Sequence, residues 1–129
     1  HALGVRFEPG SEGQMVRMLS DPSIVVAERV AAGWDVRSLL KRVATHDAPR
    51  FHALIDVGAL VTGFSNEQVA AFLLAHGLPH CKGCVFVDEA SGNSLILQRG
   101  GAVLELRQCG IAPAERFTYF DQVRAKRAY

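Results

Sequence analysis

FHALIDVGALVTGFSNEQVAAFLLAHGLPHCKGCVFVD, residues 51–88, reads in order as strand, loop, capped helix, stop and second strand. Ala53 to Val57 is short, apolar and β-branched at Ile55 and Val57, as a buried strand is, with Asp56 its lone charged residue. Ser65 and Gln68 have the spacing of a capping box, in which each side chain satisfies the other residue's free N–H at the start of a helix. Val69, Phe72 and Leu73 then share one helical face, and Gly77 and Pro79 stop the helix. Cys84 to Val87 is the second strand, so the stretch predicts a βαβ half-unit.

Downstream the apolar period changes from 3.6 to 2. Cys84–Val87, Leu95–Leu97 and Ala102–Leu106 are separated by the turn-formers Ser91-Gly92-Asn93 and Gly100-Gly101, the pattern of an antiparallel meander. Phe117 to Phe120 makes a final strand. Upstream the spacing predicts helices. After a short strand at Val5–Phe7 and a Gly-rich loop at Pro9–Gly13, Met15, Met18 and Leu19 lie at helical spacing. Asp21-Pro22 has the form of a helix start, and Gly33 of its end. Asp35 can cap a third helix whose Val36, Leu39, Leu40 and Val43 form one buried stripe, with Arg37, Lys41 and Arg42 on the other face. The expected fold is α/β or α+β: a helical first third, then a βα unit and a mixed sheet with an antiparallel meander.

Length and composition fit one domain over residues 1–129: 49% of the residues are hydrophobic and 21% charged, enough to build a core. The formal charge of +1 gives no reason to expect nucleic acid or an anionic membrane as a partner. The local clusters Arg37, Lys41, Arg42, Arg50 and Arg124, Lys126, Arg127 read as solvated faces. No apolar run approaches the roughly 20 residues of a membrane span. Three cysteines, an odd number, argue against a disulfide scaffold and for a reducing compartment, so an intracellular, cytoplasmic site is expected. A first residue other than Met fits a segment of a larger protein.

Several residue groups could carry chemistry. Asp56 and the pair Asp88-Glu89 follow apolar strands, where ligands of α/β sheets commonly bind, and could hold magnesium through water. A strand ending Val-Phe-Val-Asp-Glu has the form of a nucleoside triphosphatase's metal-coordinating strand, yet its partner GxxxxGK[ST] occurs nowhere in the chain. His80, Cys81, Cys84 and Cys109, with His76 nearby in sequence, could supply corners of a tetrahedral zinc site. Against that, Cys84 opens an apolar strand and His76 suits a helix C-terminus, which ordinary packing explains. A cysteine nucleophile needs a histidine base in reach, for which Cys81 or Cys109 with His52, His76 or His80 are the candidates and Asp56 the orienter. Trp34 has no aromatic neighbours for base stacking and reads as an apolar anchor.

The blocks LIDVGALVTGFSNEQVAAFLL, GCVFVDE and ERFTYFDQV resemble a domain of unknown function from very large eukaryotic proteins often labelled ubiquitinyl hydrolases. The match covers about residues 51–123 and leaves the first third unplaced. The resemblance implies the second lobe of a helicase-like nucleotidase whose phosphate-binding loop lies far upstream. In that reading Ile55-Asp56-Val57-Gly58-Ala59 is the lobe's first strand and loop, and Phe120-Asp121-Gln122-Val123 the strand entering its next functional loop. The family continues there into a His-Thr-Thr-Gly or His-Thr-Arg-Gly type of loop, whereas this chain reads Arg124-Ala125-Lys126-Arg127-Ala128-Tyr129. Any activity that needs that histidine is therefore not expected of this polypeptide.

The leading expectation is a non-catalytic lobe or interaction module of a large nucleotidase-like or ubiquitin-linked protein, inactive in isolation. It would present Asp56, Asp88 and Glu89 at a cleft completed by another domain or a protein partner, with no resident cofactor. The alternatives are a cysteine isopeptidase and a small zinc-binding module.

Overall fold

The computed structural model describes residues 15–19, 25–29, 35–46, 51–56 and 60–121. Their elements, in chain order, are β1 (Met15–Leu19), β2 (Val25–Arg29), α1 (Val36–Thr45), β3 (Ala53–Ile55), α2 (Asn66–His76), β4 (Gly83–Val87), β5 (Ser94–Gln98), β6 (Val103–Glu105) and β7 (Arg116–Phe120). The strands form one seven-stranded sheet in the order β2-β1-β3-β7-β4-β5-β6. β7 pairs parallel to both β3 and β4, and every other pairing is antiparallel. The fold is thus α/β with a mixed sheet, and β4–β5–β6 is the expected meander. The strand predicted last in the chain inserts between the two strands of the βαβ unit.

Both helices start as their sequences dictate. At α1, the Asp35 carboxylate accepts from Ser38 N at 2.7 Å, and Ser38 Oγ accepts from Asp35 N at 3.2 Å. At α2, Ser65 Oγ accepts from Gln68 N at 3.1 Å, and Gln68 Oε1 accepts from Ser65 N at 2.8 Å. Each pair satisfies N–H groups that the helix leaves without an internal partner. Leu40, Val43 and Ala44 of α1 meet Val69, Ala70, Leu73 and Leu74 of α2 in the core, with Val36, Leu39 and Phe72 packed at its margin. Leu54, Cys84, Phe86, Leu97, Phe117 and Tyr119 close that core from one face of the sheet. Arg37, Lys41 and Arg42 face outward.

The first third departs from expectation. Residues 15–19 and 25–29, predicted as parts of two helices, are antiparallel strands paired from Met15↔Arg29 to Leu19↔Val25. Apolar residues at four of the five positions 15–19 fit a strand as readily as a helical stripe, and the adjacent β-branched Val25 and Val26 favour the extended form. β3 also bonds β7 on one side only, so its other edge has backbone groups to satisfy; β1 meets that need from Arg17 to Leu19. Asp21-Pro22, expected to start a helix, lies outside the described residues. β3 ends at Ile55; Val57, the segments Val5–Phe7 and Pro9–Gly13, Gly33, Trp34, Arg50 and the basic residues after Val123 lie outside the described residues.

The two helix C-termini are joined at Gly77. Leu78 N donates to Ala44 O at 2.8 Å, which brings α2's exit against the last turn of α1. A Cβ on Gly77 would stand 2.2 Å from Ala44 O and 2.5 Å from Ala44 C. Those are backbone atoms that cannot turn aside, so Gly77→Ala is expected to cost about 2–3 kcal/mol through forced separation of the helices. Urea unfolding checks this, and an unchanged midpoint would show that the contact yields freely.

Arg99, just past β5, completes the same corner. Its guanidinium donates to Leu74 O at 2.8 Å, Gly77 O at 3.2 Å, Leu78 O at 2.6 Å and Cys81 O at 3.0 Å. These include carbonyls left free at the end of α2, where a cation is also favoured by the helix dipole.

Candidate functional site

β3, β7 and β4 run parallel, so their C-terminal ends lie on one edge of the sheet, and each end carries a carboxylate residue: Asp56, Asp121 and the pair Asp88-Glu89. Asn66, the first residue of α2, ties this edge together. Its Nδ2 donates to Val87 O at 2.9 Å and to Asp121 Oδ2 at 2.7 Å, while its backbone N donates to Glu89 Oε2 at 2.9 Å. Glu89 is therefore the carboxylate at the N-terminus of α2, where the helix's partial positive charge favours it.

Asp56 is 2% exposed and binds the backbone at residues 60 and 61. Its Oδ1 accepts from Leu60 N and its Oδ2 from Val61 N, both at 2.8 Å. Burial pushes its carboxyl above the ordinary value of 3.8; the bonds from Val61 and Leu60 pull it down, and the nearby Asp121 charge adds to the rise. The folded state then holds the Asp56 proton more tightly than the unfolded chain. Its contribution to stability is full below pH 3.8 and is lost as pH rises through the raised folded value. The Asp56 carboxyl carbon is accordingly expected to titrate above pH 3.8 in an NMR titration of the native chain, and a midpoint below that value would contradict its environment.

Tyr119 lies beneath the edge, 3% exposed. Burial raises its phenol pKa above the ordinary range, and Asp56, Asp121 and Glu89 add to the rise, so all three carboxylates bear on one hydroxyl that stays protonated. Asp88 is placed differently from Glu89. Its carboxylate accepts from Ser91 N at 3.2 Å and Ser91 Oγ at 2.7 Å, shaping the β4–β5 turn. The group at the edge is thus Glu89 and Asp121, joined through Asn66, with Asp56 under the charge of Asp121.

The thiols are distributed otherwise. Cys81 and Cys84 are core residues, 2% and 0% exposed, and burial, with Cys81 beside it, pushes the Cys84 thiol well above its usual value. The Cys84 thiol thus stays protonated and unreactive until the core opens, and burial keeps Cys81 from reagents. Cys109 is half-buried, its Sγ accepting from Ile111 N at 3.2 Å. Among the described residues no three His, Cys, Asp or Glu side chains are grouped to hold a metal ion. His76 packs on Phe72 with ring centroids 4.0 Å apart, His80 is half-buried beside Cys81, and His52 lines a cavity on the sheet face turned away from the helices. No described helix is long and apolar enough to cross a membrane.

No family model matches the chain, and neither a curated protein nor a solved structure matches it. Asn66, Tyr119 and Asp121 had no site role in the residue patterns of the sequence. An Asn in a helix's first turn is ordinary, and only the order of strands makes Asp121 a neighbour of Asp56.

Proposed function

We propose that this chain serves as a dependent lobe of a larger nucleotidase-like assembly. The observation that carries the reading is the placement of Asp56, Glu89 and Asp121 at or just past the C-terminal ends of the parallel strands β3, β4 and β7, Glu89 and Asp121 joined through Asn66 and Asp56 under the charge of Asp121. That edge of an α/β sheet is where ligands bind. The edge is acidic, so it suits a ligand that brings its own cation, such as a magnesium nucleotide, whose metal and phosphates another lobe would hold, since no three side chains among the described residues are grouped to hold a metal ion. Since the chain lacks GxxxxGK[ST], it does not supply that cradle. Asp56 and Asn66 are held by backbone bonds, which sets the edge before any ligand arrives.

The resemblance of residues 51–123 to the second lobe of helicase-like proteins agrees with this reading. A cysteine isopeptidase is disfavoured by the burial of Cys81 and Cys84, which leaves Cys109 as the accessible thiol. The purified chain is expected to hydrolyse ATP no faster than buffer and to give no adduct with an electrophilic ubiquitin probe. Turnover by the chain alone would overturn the dependence on a second lobe, and an adduct at Cys109 would replace this reading with the isopeptidase.

A further inference from the structure

The face of the sheet turned away from α1 and α2 carries a cavity of about 680 Å³, within the usual span of small-molecule sites, roughly 300–1,000 Å³. Strand alternation puts Val85 and Val87 of β4 and Arg116, Thr118 and Phe120 of β7 on this face, because their neighbours Cys84, Phe86, Phe117 and Tyr119 point into the helix-side core. Leu106 walls one side, and His52 lines it as well.

Its lining carries one formal charge, that of Arg116. Arg116 and His52 are its basic lining residues, and no carboxylate residue is among the described residues that line it. Arg116 is fixed in place by donating from Nε to Ile111 O at 2.9 Å, and its terminal nitrogens have no ion-pair partner among the described residues. A guanidinium held by one nitrogen against an apolar chamber is poised for a planar anion, which it can grip with two parallel bonds.

We propose that this cavity binds a small amphipathic carboxylate, Arg116 gripping the head group while Val85, Val87 and Phe120 cover the apolar body. The site lies on the sheet face rather than at its carboxylate-bearing edge, and it stands independently of the nucleotidase reading.

Amide NMR titration of the whole chain with octanoate, and separately with the neutral 1-octanol, tests it. Octanoate is expected to shift the amides of Val85, Val87, Thr118 and Phe120 saturably and to bind about tenfold more tightly than 1-octanol. Arg116→Gln should weaken octanoate about tenfold and leave 1-octanol unchanged. Should that variant unfold, the comparison of the two ligands on the native chain decides. Equal affinities, no saturable shift at those residues, or full octanoate affinity in Arg116→Gln would overturn the proposal.

Discussion

Arg99→Ala is expected to cost about 3 kcal/mol of folding stability. The side chain spans carbonyls of Leu74, Gly77, Leu78 and Cys81, and bonds from a charged donor to such acceptors contribute roughly 1.5–3 kcal/mol each when counted singly. They share one guanidinium and are not additive, and part of the corner reaches water, so the sum is well below four such bonds. Arg99→Lys should recover less than half of the loss, because an ammonium cannot reach carbonyls spread across the fork. Urea denaturation of both variants checks this; a lysine variant equal to wild type would mean that charge at the helix end, and not the fork, carries the effect.

Asn66→Asp is expected to be still more damaging at neutral pH. Asn66 Nδ2 donates to both Val87 O and Asp121 Oδ2, and the residue is 6% exposed. Asn66→Ala removes both donors and leaves a carbonyl and a carboxylate without them, a loss of about 2–4 kcal/mol. Asn66→Asp removes the same donors and adds a charge against Asp121 and beside Glu89, which raises the cost further. The two variants therefore separate by pH. The aspartate variant should approach the alanine variant as acid protonates the cluster, since a protonated carboxyl can donate again. Thermal melts from pH 3 to pH 8 read the difference, and a gap that stays constant with pH would place residue 66 outside the influence of Asp121.

How much of this was legible in the sequence depends on the range of the interactions. The helix cap at Asp35, the capping box at Ser65, the stop at Gly77 and the strands of the meander are set by residues within a few positions of one another, and each appears where the pattern placed it; the reciprocal Ser38 bond at Asp35 is added by the structure. Periodicity failed at residues 15–19 and 25–29, because a five-residue window holds too little of either period and the open edge of β3 decides the outcome. The order of strands was not legible at all. Phe117–Phe120 reads as a strand, yet nothing local says that it enters between β3 and β4.

That insertion is what builds the candidate site. It brings Asp121, fifty-five residues from Asn66 in sequence, into hydrogen-bond contact with it, and it puts Tyr119 beneath three carboxylates. Asp56 was visible as a strand-end acid, but nothing in the pattern marks it as the acceptor for the backbone N–H groups of Leu60 and Val61. Asp88 and Glu89 looked alike as neighbours; the turn claims Asp88 through Ser91, and the N-terminus of α2 claims Glu89. Arg99 carried no reading in the sequence, because its carbonyl partners lie eighteen or more residues away.

The central claim is that the edge formed by Asp56, Glu89 and Asp121 is the ligand-facing surface of a lobe. Paramagnetic broadening by Mn²⁺-ADP of the amide spectrum of the whole chain tests it most directly. Selective loss of the Leu60, Val61, Asn66, Glu89 and Asp121 signals, abolished by Asp121→Asn combined with Glu89→Gln, is the predicted result. Broadening centred instead on acidic residues away from that edge, such as Glu105 and Glu115, or untouched by that double substitution, would contradict that placement.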